Sequence, residues 1–248
     1  MRAFLSCGLT AMSILAGAAA AATATPAGSV ECSARSGAAT PRVVELYTSE
    51  GCDSCPPADR WLSGLRGRDD VIALAFHVDY WDRLGWVDRF GSPAHTERQQ
   101  RLSRATGSRF VYTPQVLLDG ADWRAWSRAP VPAPVPGSAV VEIALERRGD
   151  VVEARVAASR GAPALLRAYW ATIEHEHASR VTAGENAGAT LRHDHVVRMY
   201  REVDAWPSQT PRRLSFTLEA ARHPAREVVL VVSDAASLKP VGALKLRC

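Results

Sequence analysis

A cysteine pair set between an apolar strand and a helix that opens on two prolines constrains this chain more than any other feature. Val43-Val44-Glu45-Leu46-Tyr47-Thr48 reads as a strand, and Ser49-Glu50-Gly51 turns the chain. Cys52-Asp53-Ser54-Cys55 then opens a helix predicted to run to about Leu65. Pro56 and Pro57 fall in its first turn, where N–H groups lack helical partners anyway. This places Cys52 at a helix N-terminus, where unpaired N–H groups and the helix dipole favour a thiolate. Cys52 is therefore expected to be the more exposed and more acidic thiol, and Cys55, one turn on, to resolve a mixed disulfide. The spacing also admits a static structural disulfide or half of a zinc site. Zinc needs two further ligands, and there is no second Cys-x-x-Cys.

Elements alternate around the pair. Residues 71–78 are an apolar run interrupted only by His77, suited to a strand buried on both faces. Residues 93–106 read as a helix with Ser92 as N-cap, and Val116-Leu117-Leu118 as a strand closed by an Asp119-Gly120 turn. Strand–helix–strand–helix–strand signals an α/β unit, here over residues 40–128. At 129–137 proline alternates with small residues, as in a stiff linker. Residues 138–248 then read as strands. Runs at 139–145 and 151–157 flank a hairpin turn at Arg147-Arg148-Gly149-Asp150, and others follow at 165–176, 189–200, 213–218 and 227–232. The expected architecture is an α/β domain followed by a smaller antiparallel β-sandwich-like domain.

Residues 1–22 read as a signal peptide, with Arg2 at the start, an apolar stretch too short to span a bilayer, and small-residue cleavage sites such as Ala20-Ala21-Ala22. The mature chain is expected to be periplasmic or secreted, with no membrane span after cleavage. Of five cysteines, Cys7 would leave with the signal peptide. Cys32 and Cys248, near the two mature ends, are expected to form a structural disulfide in a compartment where disulfides persist. The formal charge of +4 comes from arginines scattered among acids, with Lys239 and Lys245 the only lysines. Nucleic-acid binders usually cluster their charge, so no nucleic-acid partner is expected.

Several residues outside the pair are candidates. Pro114, in Tyr112-Thr113-Pro114-Gln115-Val116, stands at a strand start, where a missing ladder N–H is tolerated. In thioredoxin-like folds a cis proline at this point faces the cysteine pair, so Pro114 and the Thr113 backbone are expected to shape a substrate groove. Glu45, an acid on an otherwise apolar strand face, is either a proton shuttle or a hydrogen-bonded structural acid. His77 and Asp79, one strand period apart, could flank the site. Tyr80, Trp81 and Trp86 could line a groove or pack a loop onto the core. His175 with His177, and His193 with His195, alternate on strands. Convergence of the two pairs would suit copper or zinc, and the plainer reading is one polar face of two strands.

Val43 through Cys52, with Ser54-Cys55-Pro56-Pro57-Ala58-Asp59, closely resembles the start of the secreted thioredoxin-like family catalogued as domain of unknown function 1223. His77-Val78-Asp79-Tyr80-Trp81-Asp82, Gly85-Trp86, Arg98-Gln99 and Tyr112-Thr113-Pro114-Gln115 are similar to its later motifs, and Gly184-Glu185-Asn186-Ala187-Gly188 to one in its C-terminal half. The resemblance covers about residues 42–200. It implies a thioredoxin-like fold for the first half and carries no assigned reaction. Trp123-Arg124-Ala125-Trp126 departs from the family by running straight into the proline stretch, so the last thioredoxin helix is expected to be short or absent.

The leading functional expectation is an exported thiol–disulfide oxidoreductase without a cofactor. Cys52 would attack, Cys55 resolve, Pro114 shape the groove and Glu45 shuttle protons. Its partners would be exported protein thiols or disulfides and an unidentified redox partner. One alternative is a non-catalytic periplasmic binding protein braced by a structural disulfide. The other is a metal-handling protein using His175, His177, His193 and His195.

Overall fold

The computed structural model describes Met1, residues 29–219 and residues 226–248, so the expected signal peptide lies outside the described residues apart from Met1. In chain order the first half holds β1 (Cys32–Arg35), β2 (Arg42–Thr48), α1 (Pro56–Ser63), β3 (Val71–His77), a 3-10 turn (Asp82–Leu84), α2 (Pro93–Ala105), β4 (Gln115–Leu118) and β5 (Ala121–Asp122). The second half holds β6 (Val141–Arg148), β7 (Val151–Ala158), β8 (Leu165–Glu174), β9 (His177–Arg180), β10 (Thr190–His193), β11 (Val196–Pro207), β12 (Arg212–Thr217), β13 (Arg226–Asp234) and β14 (Pro240–Leu246).

Local chemistry accounts for the two helices. Ser92 Oγ accepts from the Ala94 N–H at 3.3 Å and Pro93 takes the first helical position of α2. His95, Gln99, Leu102 and Ser103 form the buried stripe of α2 at helical spacing. The helix predicted from Cys52 starts four residues later, with Cys55 as the N-cap of α1 and Gly64 closing it. Ala58, Asp59 and Leu62 form its buried side.

Eight strands form one sheet in the order β14-β13-β8-β11-β3-β2-β4-β5. β2 and β3 run parallel, Val44 opposite Ala73 and Leu46 opposite Ala75, while β4 lies antiparallel to β2. One face of this sheet carries α1, whose Ala58 and Leu62 bury Val44, Leu46, Ala73 and Ala75. The other face carries α2 through Leu102, against Tyr47, Phe76, Tyr169 and Val229. A second sheet, β1-β6-β7-β12, packs on the C-terminal end of the first, and Ile143, Val156 and Phe216 meet Trp170, Leu230 and Val232 there. β9 and β10 form a separate two-stranded ribbon.

This overturns the expected architecture of a thioredoxin-like α/β domain followed by a smaller β-sandwich-like one. The described chain carries far more strand than helix, with two α-helices of 8 and 13 residues. β11 pairs in parallel with β3 at Val196 and Ala75, and the Ala75 N–H donates to the His195 carbonyl at 2.8 Å. Strands from the second half therefore extend the sheet of the first instead of making a sandwich of their own. The local strand–helix order was readable, but nothing in it told that the free edge of β3 is closed by a strand more than a hundred residues on. The run expected as one strand at 189–200 is two strands, broken at Asp194 and at His195, which has φ 58°. The proline stretch is not a free spacer either, for Val131 is buried in the α1 layer, which Trp61, Trp123 and Trp126 border.

Cys32 and Cys248 are joined by a disulfide that ties β1 to the end of β14, across 216 residues of sequence. Closing so long a loop stabilises by about 5 kcal/mol in the chain-entropy model. Replacing both cysteines by serine should lower unfolding stability by about 2–5 kcal/mol, read from the denaturation midpoint with Cys52–Cys55 intact.

Candidate functional site

The Cys52–Cys55 disulfide closes a turn that connects β2 to α1, with the two Cα atoms 5.5 Å apart. The Cys52 N–H donates to the Ser49 carbonyl at 3.2 Å, and the Cys55 carbonyl accepts from Ala58 and Asp59 at 2.9 and 3.2 Å. Ser54 Oγ donates to Cys52 Sγ at 3.4 Å. Contrary to expectation, Cys52 is not the exposed member of the pair. Both cysteines have 0 % exposure, while Asp53 and Ser54 between them are exposed.

Three segments enclose this turn. Trp81 backs it, since a Cβ on Gly51 would lie 3.0 Å from the Trp81 Cβ. Trp81 Nε1 also donates to Thr113 Oγ1 at 2.8 Å, joining the cysteine turn to the Thr113–Pro114 bond, which is cis. Gln99 of α2 holds that loop by donating to the Tyr112 carbonyl and to Gln115 Oε1. The third segment comes from the second half. Asn186 Nδ2 donates to the carbonyls of both Glu50 and Cys52 at 2.9 Å, and Glu185 Oε2 accepts from the Asp53 N–H at 3.2 Å.

Behind the turn lies a buried ionisable cluster. His77 Nδ1 and Asp88 Oδ2 are 2.6 Å apart, with both side chains fully buried. Asp88 also accepts from the Glu50 and Phe90 N–H groups at 2.8 and 2.9 Å. Burial alone would push the Asp88 carboxyl up, but the charge and hydrogen bond of His77 and these two N–H groups outweigh it and hold the carboxyl down at about 2. For His77 burial works against the charge, and Asp88 more than reverses it, so the imidazole pKa is raised. The pair is thus a buried ion pair. Glu50 receives a 2.8 Å hydrogen bond from Trp86 Nε1, and its other oxygen lies 3.2 Å from His193 Nε2. Burial raises the Glu50 carboxyl, yet His193, Ser179 and Trp86 bring it below its ordinary value. Asp59 goes the other way. Burial dominates and raises it, against the fields of His193 and His77 and the Thr48 hydroxyl.

The remaining predicted residues divide. Glu45 lies on the α2 face of β2, opposite α1, paired with Arg98 and accepting from the Tyr169 hydroxyl at 2.5 Å. It is the hydrogen-bonded structural acid, not a proton carrier beneath the cysteines. Asp79 accepts from Thr96 Oγ1 at 2.6 Å, and Tyr80 donates to Gln99 at 3.3 Å, so both brace loops onto α2. The four second-half histidines do not converge on one point, although His177 and His193 stand opposite each other in the β9–β10 ribbon. The His193 ring meets His77 at 4.9 Å, His175 meets His195 at 4.7 Å, and His177 Nε2 lies 3.0 Å from Glu174. Among the described residues no group of three or more His, Cys, Asp or Glu is arranged to hold a metal.

The sequence reading missed Glu50, Asp59, Asp88 and Asn186 as site residues. Asp59 had a usable signal, because it stands one helical turn after Cys55 on the side that carries Leu62. Asn186 stands in the Gly184–Gly188 motif that the resemblance marked, though nothing there tied it to the cysteines, and Asp88 had no signal, since it reaches the turn from a distant loop.

The family model described as "Protein of unknown function (DUF1223)" matches residues 43–233, and the chain belongs to that family. No curated protein matches the chain significantly. Among solved structures, protein AGR_C_4864 from Agrobacterium tumefaciens is 29% identical, with a TM-score of 0.60, over 84% of this chain and 94% of that one. HBP35 of Porphyromonas gingivalis is 15% identical with a TM-score of 0.51, over 84% of this chain and 75% of that one, a likeness of fold alone.

Asp88→Asn should leave a buried imidazole without its counter-charge and cost about 3–5 kcal/mol in denaturant unfolding near pH 6. The depressed Asp88 stabilises above its ordinary carboxylate value and loses that contribution as pH falls toward about 2. The raised His77 stabilises below its ordinary imidazole value and loses that contribution as pH rises through its raised pKa. Both limbs of the stability–pH profile should therefore be flatter in the variant.

Proposed function

We propose that this member of the DUF1223 family is a thiol–disulfide oxidoreductase that works through Cys52–Cys55 on exported protein thiols or disulfides, in the periplasm or outside the cell. Two disulfides fit a compartment outside the reducing cytoplasm, and no described helix is long and apolar enough to cross a membrane. The observation that carries the reading is Asp59, a buried carboxyl with raised pKa one helical turn from Cys55. A static brace has no use for it, whereas a buried exchange centre does.

A substrate thiolate attacks the Cys52 sulfur. The Cys52–Cys55 bond breaks, a substrate–Cys52 disulfide forms, and Cys55 leaves with the electron pair as a thiolate. Cys55 is buried, so that charge is not solvated by bulk water. Asp59, whose pKa burial raises, supplies the proton, and the fields of His193 and His77 then favour its carboxylate. A second substrate thiolate attacks the mixed disulfide, the substrate departs oxidised, and Cys52 is released as a thiolate that the Ser54 hydroxyl stabilises. Two electrons have then passed to the pair. The reverse sequence oxidises the pair at the expense of a substrate disulfide. Asp59 takes the role that the sequence reading gave to Glu45.

Equilibration in glutathione buffers, followed by alkylation and peptide mapping, tests the reading. Cys52–Cys55 should titrate within the range spanned by disulfide oxidoreductases, roughly −120 to −270 mV, while Cys32–Cys248 stays oxidised. A Cys55→Ala variant should accumulate mixed disulfides through Cys52 in the exporting cell. Asp59→Asn should slow reduction of the pair by about 10²-fold at neutral pH with the fold intact. A Cys52–Cys55 bond as resistant to glutathione as Cys32–Cys248 would make it a structural brace and end the proposal.

A further inference from the structure

We propose that the segment Gly184-Glu185-Asn186-Ala187-Gly188 is a latch that occludes the Cys52–Cys55 disulfide, and that thiol attack proceeds through a state in which this latch has opened. The inference rests on the oxidoreductase reading above and adds its regulation. It starts from a conflict within that reading. A nucleophilic sulfur must approach along the S–S axis, yet neither cysteine has exposed surface. Some neighbour has to move before exchange begins.

The walls of the site differ in how readily they could. Trp81 is tied to Thr113, and Gln99 fixes the following loop from α2. His77 and Asp88 hold the floor as a fully buried ion pair. In the 184–188 segment Glu185, Ala187 and Gly188 face solvent. Its own backbone bonds are short-range, from the Gly188 N–H to Val181, Ala187 to Gly184 and Ala189 to Asn186. Gly184 and Gly188 bound it with φ of 73° and 89°, a region glycine enters without strain. A Cβ at Gly184 would lie 3.3 Å from the Trp86 Cβ, so this glycine also lets the segment seat against the cysteine side of the molecule.

The contacts it makes are aimed at the cysteine turn. The single carboxamide of Asn186 spans the carbonyls of Glu50 and Cys52, and Glu185 takes the Asp53 N–H. Together they hold backbone on both sides of Cys52. When the segment lifts, these carbonyls and this N–H become free to pair with an extended substrate chain. The latch thus occupies the backbone groups that a polypeptide substrate would use, and a polypeptide can replace its hydrogen bonds while a small thiol cannot. Polypeptide thiols are the substrate class this favours.

The test uses the full oxidised chain and follows reduction of Cys52–Cys55 by excess dithiothreitol, with quenching, alkylation and peptide mapping. Asn186→Ala removes both carboxamide bonds and should speed reduction by about tenfold or more. Asn186→Asp sets a carboxylate against two carbonyls and should speed it at least as much. Glu185→Gln, a milder change at an exposed position, should give a smaller acceleration. It also serves as the readout if the Asn186 variants do not fold. A cysteine-containing peptide should react faster with wild type than glutathione does, and that preference should shrink in Asn186→Ala. If the folded variants are reduced at the wild-type rate, the latch is wrong while the oxidoreductase reading stands. If no thiol reduces the pair even in Asn186→Ala, the oxidoreductase reading itself falls.

Discussion

The parallel contact between β11 and β3 is the constraint from which the rest of the molecule follows. It rests on Val196 lying opposite Ala75 and on the hydrogen bond from the Ala75 N–H to the His195 carbonyl. Because of it, β11, β8, β13 and β14 continue the sheet that holds β2 and the cysteine turn. The left-handed backbone at His195 ends the β9–β10 ribbon just before β11 enters the sheet. That break leaves the ribbon lying over α1, with His193 beside Glu50 and the 184–188 segment against Cys52. Chain closure by Cys32–Cys248 reinforces the same union from the far side.

What could be read from the sequence was what local chemistry determines. The boundaries of β2, β3 and α2, the Ser92 cap and the cysteine turn follow from apolar periodicity, proline placement and capping. The cis bond at Pro114 and the Cys32–Cys248 bridge also stand where the sequence reading put them. Sheet edges were not readable. A strand pattern says which face is apolar, but carries no mark of which distant strand will hydrogen-bond its edge. For that reason residues 138–248 read as a separate sandwich when their strands are in fact shared between two sheets. Glu45 failed for a related reason. An acid among apolar neighbours looks the same in sequence whether it faces α1 or α2, and Arg98 and Tyr169, which bind it, are 53 and 124 residues away.

The electrostatics behind the cysteine turn cannot be understood as stabilisation alone. A buried ion pair such as His77–Asp88 costs desolvation that its attraction only partly offsets, and a well-packed apolar replacement is often as stable. Here that cost is incurred several times within one cluster, at Glu50, Asp59, His77 and Asp88. The groups are also pushed in opposite directions. Asp88 and Glu50 are held down while burial holds Asp59 up, so neighbouring carboxyls are shifted apart within one buried region. Carboxyls shifted apart in this way are a feature that functional sites share with structural ion-pair networks.

The same comparison distinguishes the two disulfides. By loop-closure entropy, a bridge across three residues stabilises by only about 2 kcal/mol, against about 5 kcal/mol for one across the whole chain. Cys32–Cys248 is therefore well placed as a brace, and nothing ionisable need accompany it. Cys52–Cys55 is poorly placed as one. It adds little constraint to a turn already held by Ser49, Asn186 and the first turn of α1. Yet it is the bond around which the molecule gathers its buried carboxyls, its imidazoles and its cis proline loop. If bracing were its whole purpose, two apolar residues and a filled core would serve as well without the desolvation cost. On the proposed exchange reading, the arrangement suits a bond that breaks beside a buried carboxyl able to supply a proton when it does.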